Sequence, residues 1–147
     1  MCIRDRFSTI ESLNKSYPDF IISFDIEENE NLDSLLEIKG NNKLLEIAMS
    51  NVLKNACVYS DNKQAKVKIF SNGLQLLFEI SNSGKTLTEN EQKNLFQPFM
   101  RGENSKGTTG FGLGLRIVQR ILTLHKATIN YQIQDNDTNV FVVCFHG

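Results

Sequence analysis

Apolar positions along the 147-residue chain predict alternating helices and strands, with no internal repeat. Phe7, Ile10 and Leu13 are spaced by three, as at the end of an amphipathic helix, and Pro18 closes that segment. Residues 20–26 read as a strand, 27–33 as an acidic loop and 35–38 as a second short strand ended by Gly40. Leu45, Ala48, Met49, Val52, Leu53 and Ala56 form one apolar arc of a helix over 42–60. Residues 65–70 alternate apolar and polar, Asn72-Gly73 signals a hairpin, and 74–80 return as a strand broken by Ser83 and Gly84. Thr88 and Glu91 have capping-box spacing and open a helix toward Phe96, stopped near Pro98. Residues 101–110 are polar and rich in Gly, Ser and Thr, hence a loop. Leu115, Val118, Ile121, Leu122 and Leu124 mark a strongly amphipathic helix over 113–125, and strands at 127–133 and 139–145 flank an Asp135-Asn-Asp137 turn. Helices on one face of a mixed, mostly antiparallel sheet make an α+β fold, a two-layer α/β sandwich.

Composition narrows the function. Lys and Arg number 16 against 17 Asp and Glu, a net charge of −1, so binding of nucleic acid or anionic lipid by bulk charge is not expected. The longest wholly apolar run, residues 140–145, is far below the ~18 residues a membrane helix needs. Three scattered cysteines, Cys2, Cys57 and Cys144, without a CxxC, indicate neither a disulfide framework nor a zinc site.

Four local patterns carry candidate chemistry. Asn51 and Asn55 lie one turn apart on the shoulder of the 42–60 helix, where poor helix formers need a reason to be. Their neutral oxygens suit a Mg²⁺ that already carries phosphates and waters, although the helix taken alone favours carboxamides that bond to neighbouring backbone or face solvent. Gly110-Phe-Gly-Leu-Gly-Leu115 runs into a helix, so its backbone N–H groups and the helix dipole can meet an anion. No strand leads into it and no acidic residue follows at the right distance, which rejects a dinucleotide-binding turn; GxxxxGK[ST] is absent too. Ser81-Asn-Ser-Gly84 ends a strand, and Leu95-Phe-Gln-Pro-Phe-Met-Arg101 is an amphipathic patch whose Phe96 and Phe99 are best read as packing.

In this order and at these distances the four patterns resemble the N, G1, F and G2 boxes of the ATP-binding domain of sensor histidine kinases. That Bergerat-type fold is shared with DNA gyrase, a heat-shock chaperone family and the MutL ATPases, and the likeness covers residues 17–145. The resemblance implies ATP and Mg²⁺ as cofactors, with Asn55 as the metal-holding residue and Asn51 lining the phosphate side, both in the catalytic set. It places Tyr59 against the nucleotide and Asn82 where the family usually has an Asp that accepts the adenine amino group. Gly84 would leave room for the base, with Leu87 beside it. Arg101 would reach the phosphates, and Gly110, Gly112, Leu113, Gly114 and Leu115 would close the triphosphate site.

The sequence departs from the pattern at Val58, where many members have a phosphate-contacting Lys, at Thr86 in place of a second Gly, and at Ile47. Asn51 occupies the place of the catalytic Glu of ATP-hydrolysing relatives, which disfavours a chaperone-like or MutL-like hydrolase. Neither His125 nor His146 sits in a phosphoacceptor context.

The implied protein is the catalytic half of a two-component kinase. It would transfer the γ-phosphoryl group to a His on a dimerisation domain outside this sequence and pass it on to a response regulator. The fragment would be cytoplasmic within a membrane-anchored whole, binding no nucleic acid and spanning no membrane itself. A nucleotide-binding pseudokinase or an anti-sigma-factor-type serine kinase are the alternatives. Residues 1–6 resemble the translation of a transposon end used in sequencing libraries and are set aside as a scar. Residues 7–16 are expected to end a linker helix, and 17–147 to form the ATP-binding domain.

Overall fold

The computed structural model describes residues 18–27, 40–96 and 113–146. Its elements are β1 (Ile21–Ile26), α1 (Asn42–Val58), β2 (Gln64–Asn72), β3 (Gln75–Ser83), α2 (Glu89–Asn94), α3 (Leu113–Leu124), β4 (Ala127–Gln134) and β5 (Thr138–His146). The expected segments at 7–16, 35–38 and 101–110 lie outside the described residues.

The five strands form one sheet in the order β1-β2-β3-β5-β4, with only the β1–β2 pair parallel. The mixed, mostly antiparallel sheet expected from the pattern is therefore observed. Side-chain alternation sends Leu76, Phe78, Ile80 and Asn82 of β3 to one face, level with Phe145, Val143, Phe141 and Asn139 of β5. Helices α1 and α3 pack against each other and against the sheet. Leu45, Ala48, Val52, Leu53 and Ala56 of α1 and Leu115, Val118, Ile121 and Leu122 of α3 complete the core. Burial of each such large side chain contributes about 1.5–3 kcal/mol, which outweighs the modest helix propensity of a segment carrying three Asn.

Local chemistry sets the ends of these elements. The Asn41 side chain accepts from the Leu44 N–H at 3.1 Å and starts α1. Thr88 and Glu91 form the expected capping box of α2, each side chain accepting from the other's backbone N–H. The first hairpin is shifted from expectation. Asn72 still pairs with Gln75, so the two-residue loop is Gly73-Leu74 and β3 starts one residue later than its apolar pattern suggests. Gly73 at φ +63° holds the first loop position, as a type II′ turn requires. The second hairpin turns at residues 135–137, with Asp135 and Asn136 both left-handed, a conformation their short polar side chains tolerate.

Candidate functional site

The polar end of the core is built from three elements. Along the inward row of β3 and β5 the apolar pairs give way to Asn82 opposite Asn139, at 5% and 4% exposure. On α1 the third buried polar residue described, Asn55, is 3% exposed. Tyr59 caps the C-terminus of α1, its N–H donating to the Asn55 carbonyl at 3.0 Å.

The end of α1 and the end of β3 are locked together. The Asp61 N–H donates to the Ser83 carbonyl at 2.8 Å, and the Gly84 N–H to the Asp137 carbonyl at 2.9 Å. Gly84 is buried, and a Cβ on it would lie 2.5 Å from the Tyr59 carbonyl oxygen. Glycine is needed at 84 because the helix end occupies the place of a side chain. Tyr59, Asn82 and Gly84, distant in sequence, thus share one corner.

Helix α3 enters the same region. His125, just past its C-terminus, donates from Nδ1 to the Ile121 carbonyl at 2.7 Å and accepts the Asn41 N–H on Nε2 at 3.0 Å. Because the C-terminal end of α3 meets the N-terminal end of α1 and the two helices pack together, they run in opposite directions. A helix of 12 residues is about 18 Å long, so its start, Leu113-Gly114, falls alongside the Asn51–Asn55 stretch. The first N–H groups of α3 have no partner within the helix and carry its partial positive charge. Leu115 is wholly buried in the core, so its backbone alone is left for the site.

The carboxamides differ in what they can offer. Asn51 is half-buried and its Nδ2 donates to the Ile47 carbonyl one turn back at 3.0 Å, which leaves its oxygen as the group available to a cation. Asn82 is the exception among the described residues: its buried Nδ2 has no hydrogen-bond partner. Leaving such a donor unmade costs about 1–3 kcal/mol, and folded proteins seldom do so without a ligand or water to meet it. Val58 is exposed, consistent with a position that leaves the core free of it. Arg101, Gly110 and Gly112 lie outside the described residues.

One set of residues was missed by the sequence reading. The Tyr131 hydroxyl donates to Asn139 Oδ1 and accepts the Leu87 N–H at 3.0 Å, while Asn139 Nδ2 donates to the Lys85 carbonyl at 3.2 Å. The Gln92 side chain donates to the Leu87 carbonyl at 3.0 Å. The segment leaving β3 is thereby fastened to the β4–β5 hairpin, which fixes where half-buried Leu87 stands. Desolvation, the largest cause, raises the Tyr131 pKa above the ordinary phenol value, so the hydroxyl keeps its proton to donate. An isolated tyrosine on an alternating strand gives no sequence signal of this role.

Among the described residues no group of three or more His, Cys, Asp and Glu could hold a metal ion. No described helix is long and apolar enough to cross a membrane. Carboxamides at the joined ends of α1 and β3, with the start of α3 alongside α1, suit a polar, anionic ligand whose own groups complete any cation's shell.

The fold is that of an ATPase-type domain: residues 40–146 match the family described as "Histidine kinase-, DNA gyrase B-, and HSP90-like ATPase", and the chain belongs to it. Within that family it resembles the sensor kinases. It is 37% identical over 109 residues to the heme sensor protein HssS of Staphylococcus haemolyticus, covering 74% of this chain and 24% of that one. It is 32% identical over 119 residues to the sensor histidine kinase CssS of Bacillus subtilis, covering 81% and 24%. The chain thus spans about a quarter of the length of these relatives. Among solved structures, a mycobacterial sensor histidine kinase, MprB, superposes with a TM-score of 0.78 over 97% of this chain and 93% of that one. The catalytic domain of histidine kinase ThkA gives 0.74 over 98% and 89%. At 18% identity each, these two establish the fold.

Proposed function

We propose that this chain is the catalytic half of a two-component sensor histidine kinase. It binds Mg-ATP and presents the γ-phosphoryl group to a histidine on a separate dimerisation domain, from which a response regulator is charged. The observation that supports this reading is that Tyr59, Asn82 and Gly84 share one corner at the end of the helix that carries Asn51 and Asn55, in a chain similar to sensor kinases. Asn82 and Leu87 face the base, and Tyr59 packs on the nucleotide. Asn51 and Asn55 stand on the phosphate side, and Arg101 with Gly110, Gly112 and Gly114 encloses the phosphates.

The donor set fits Mg²⁺. A magnesium ion that keeps phosphate and water ligands needs only one or two protein oxygens, and Asn51 and Asn55 supply neutral ones. When bound, the ion neutralises charge building on the phosphoryl oxygens. The chain's own residues position the nucleotide and exclude water, which is most of what phosphoryl transfer asks of a protein. Asn51 in the place of a carboxylate leaves no side chain there to activate water, which favours transfer over hydrolysis.

The test is a titration of the chain with a fluorescent ATP analogue, with and without Mg²⁺, followed by addition of a histidine-bearing dimerisation domain. Mg²⁺-dependent binding, little self-phosphorylation and acid-labile phosphorylation of the added domain are expected. Asn55→Ala should cut transfer by about a hundredfold or more while the domain stays folded. Absence of Mg²⁺-dependent binding overturns the reading.

A further inference from the structure

The buried nitrogen of Asn82 asks for an acceptor that the described residues do not provide. Its cross-strand neighbour Asn139 does not supply one: its Oδ1 accepts from Tyr131 and its Nδ2 donates to the Lys85 carbonyl, and neither reaches Asn82 Nδ2. Asn82 Nδ2 is 3.5 Å from the point a Gly84 Cβ would occupy, so the unmade donor belongs to the corner between α1 and β3.

We propose that Asn82 makes the pocket tolerant at the 6-position of the purine, so that 6-oxopurine nucleotides are taken alongside ATP. This rests on the reading of the corner as a purine nucleotide site. A carboxylate only accepts hydrogen bonds, so at this position it pairs with the amino group of adenine and repels a carbonyl. A carboxamide both donates and accepts. Its oxygen can accept a hydrogen bond from the adenine amino group while its nitrogen donates to N1. Turned over, its nitrogen donates to O6 of hypoxanthine or guanine and its oxygen accepts the N1 proton. Sites achieve strong discrimination when the wrong ligand leaves a buried polar group unpaired; here neither purine edge does so.

The experiment is competition on the chain with Mg²⁺ and trinitrophenyl-labelled ATP as the probe, using ATP, ITP and GTP as displacers. ITP isolates the 6-position because it lacks the 2-amino group of guanine. We expect ITP to displace the probe within about tenfold of ATP. Asn82→Asp should then shift the ITP-to-ATP ratio by about tenfold or more toward ATP. If ATP displaces and ITP needs more than about a hundredfold higher concentration, the inference is overturned and the nucleotide reading stands. An unchanged ratio in Asn82→Asp also overturns it. If no purine nucleotide displaces the probe, the reading of the site itself falls and the inference with it.

Discussion

Replacing Gly84 with alanine places a methyl group 2.5 Å from the Tyr59 carbonyl oxygen, a contact between backbone and Cβ that no side-chain rotation relieves. The strand end cannot retreat cheaply. Hydrogen bonds of 2.8 Å from Asp61 to Ser83 and 2.9 Å from Gly84 to Asp137 hold it on both sides. Overpacking of this kind costs about 1–3 kcal/mol, and the reduced freedom of the unfolded chain returns about 0.4–1 kcal/mol. A backbone contact this short puts the cost in the upper part of that range, about 2–3 kcal/mol, so a net destabilisation of about 1–2.5 kcal/mol follows, or a fall in Tm of roughly 2–10 °C for a chain of this size. Because relief requires the α1 terminus to move, nucleotide affinity should fall with it, by about tenfold. Gly73→Ala is the control. Its Cβ meets nothing within 4 Å but its φ is +63°, so it should cost about 1 kcal/mol through the backbone alone and leave binding unchanged. Urea denaturation and nucleotide titration of both variants read the two effects. A Gly84→Ala protein as stable and as competent as the parent would show that the contact of helix and strand ends does not shape the site.

Three further outcomes follow from individual side chains. Tyr131→Phe keeps the ring against Phe141 but removes the bonds to Leu87 and Asn139, so nucleotide affinity should weaken several-fold with a stability loss of about 1–3 kcal/mol, read by titration and urea melts; unchanged affinity refutes a positioning role for this hydroxyl. Burial pushes the Cys57 thiol up to about 11 from 9.0, so the native protein should resist alkylation at Cys57 at neutral pH. Since its folded pKa is the higher one, the stability it contributes is complete below pH 9 and is lost as pH rises toward 11, by about 2–3 kcal/mol in urea melts across that window. His125 should show the Nδ1-protonated tautomer in ¹⁵N spectra, and His125→Ala should cost about 0.5–1.5 kcal/mol by releasing the Asn41 N–H; the opposite tautomer would contradict the link between α1 and α3.

Elements governed by local chemistry were legible in the sequence. The Thr88–Glu91 box, the apolar arcs of α1 and α3 and the Asp135-Asn-Asp137 turn all depend on residues within one or two turns of each other. The first hairpin slipped by one position because Asn72-Gly73 is compatible with two loop placements, and pairing of Asn72 with Gln75 decides between them. For the site, resemblance pointed to Asn55, Tyr59, Asn82 and Gly84, and the described residues bring the last three into one corner. What was not legible depends on strand register. Asn139 faces Asn82, and Tyr131 reaches Leu87 across 44 positions, only because β5 lies between β3 and β4. The bond from Asn41 to His125 spans 84 positions and has no local signature.

The row of pairs that runs from Leu76–Phe145 to Asn82–Asn139 makes the proposed nucleotide corner the last rung of the hydrophobic ladder. A nucleotide seated there becomes an additional layer of the protein interior, so occupancy and folding draw on the same free energy. At a ligand concentration a hundred times Kd the coupling amounts to about 2.7 kcal/mol. On the proposed reading the empty domain is accordingly expected to melt more easily than the nucleotide-saturated one.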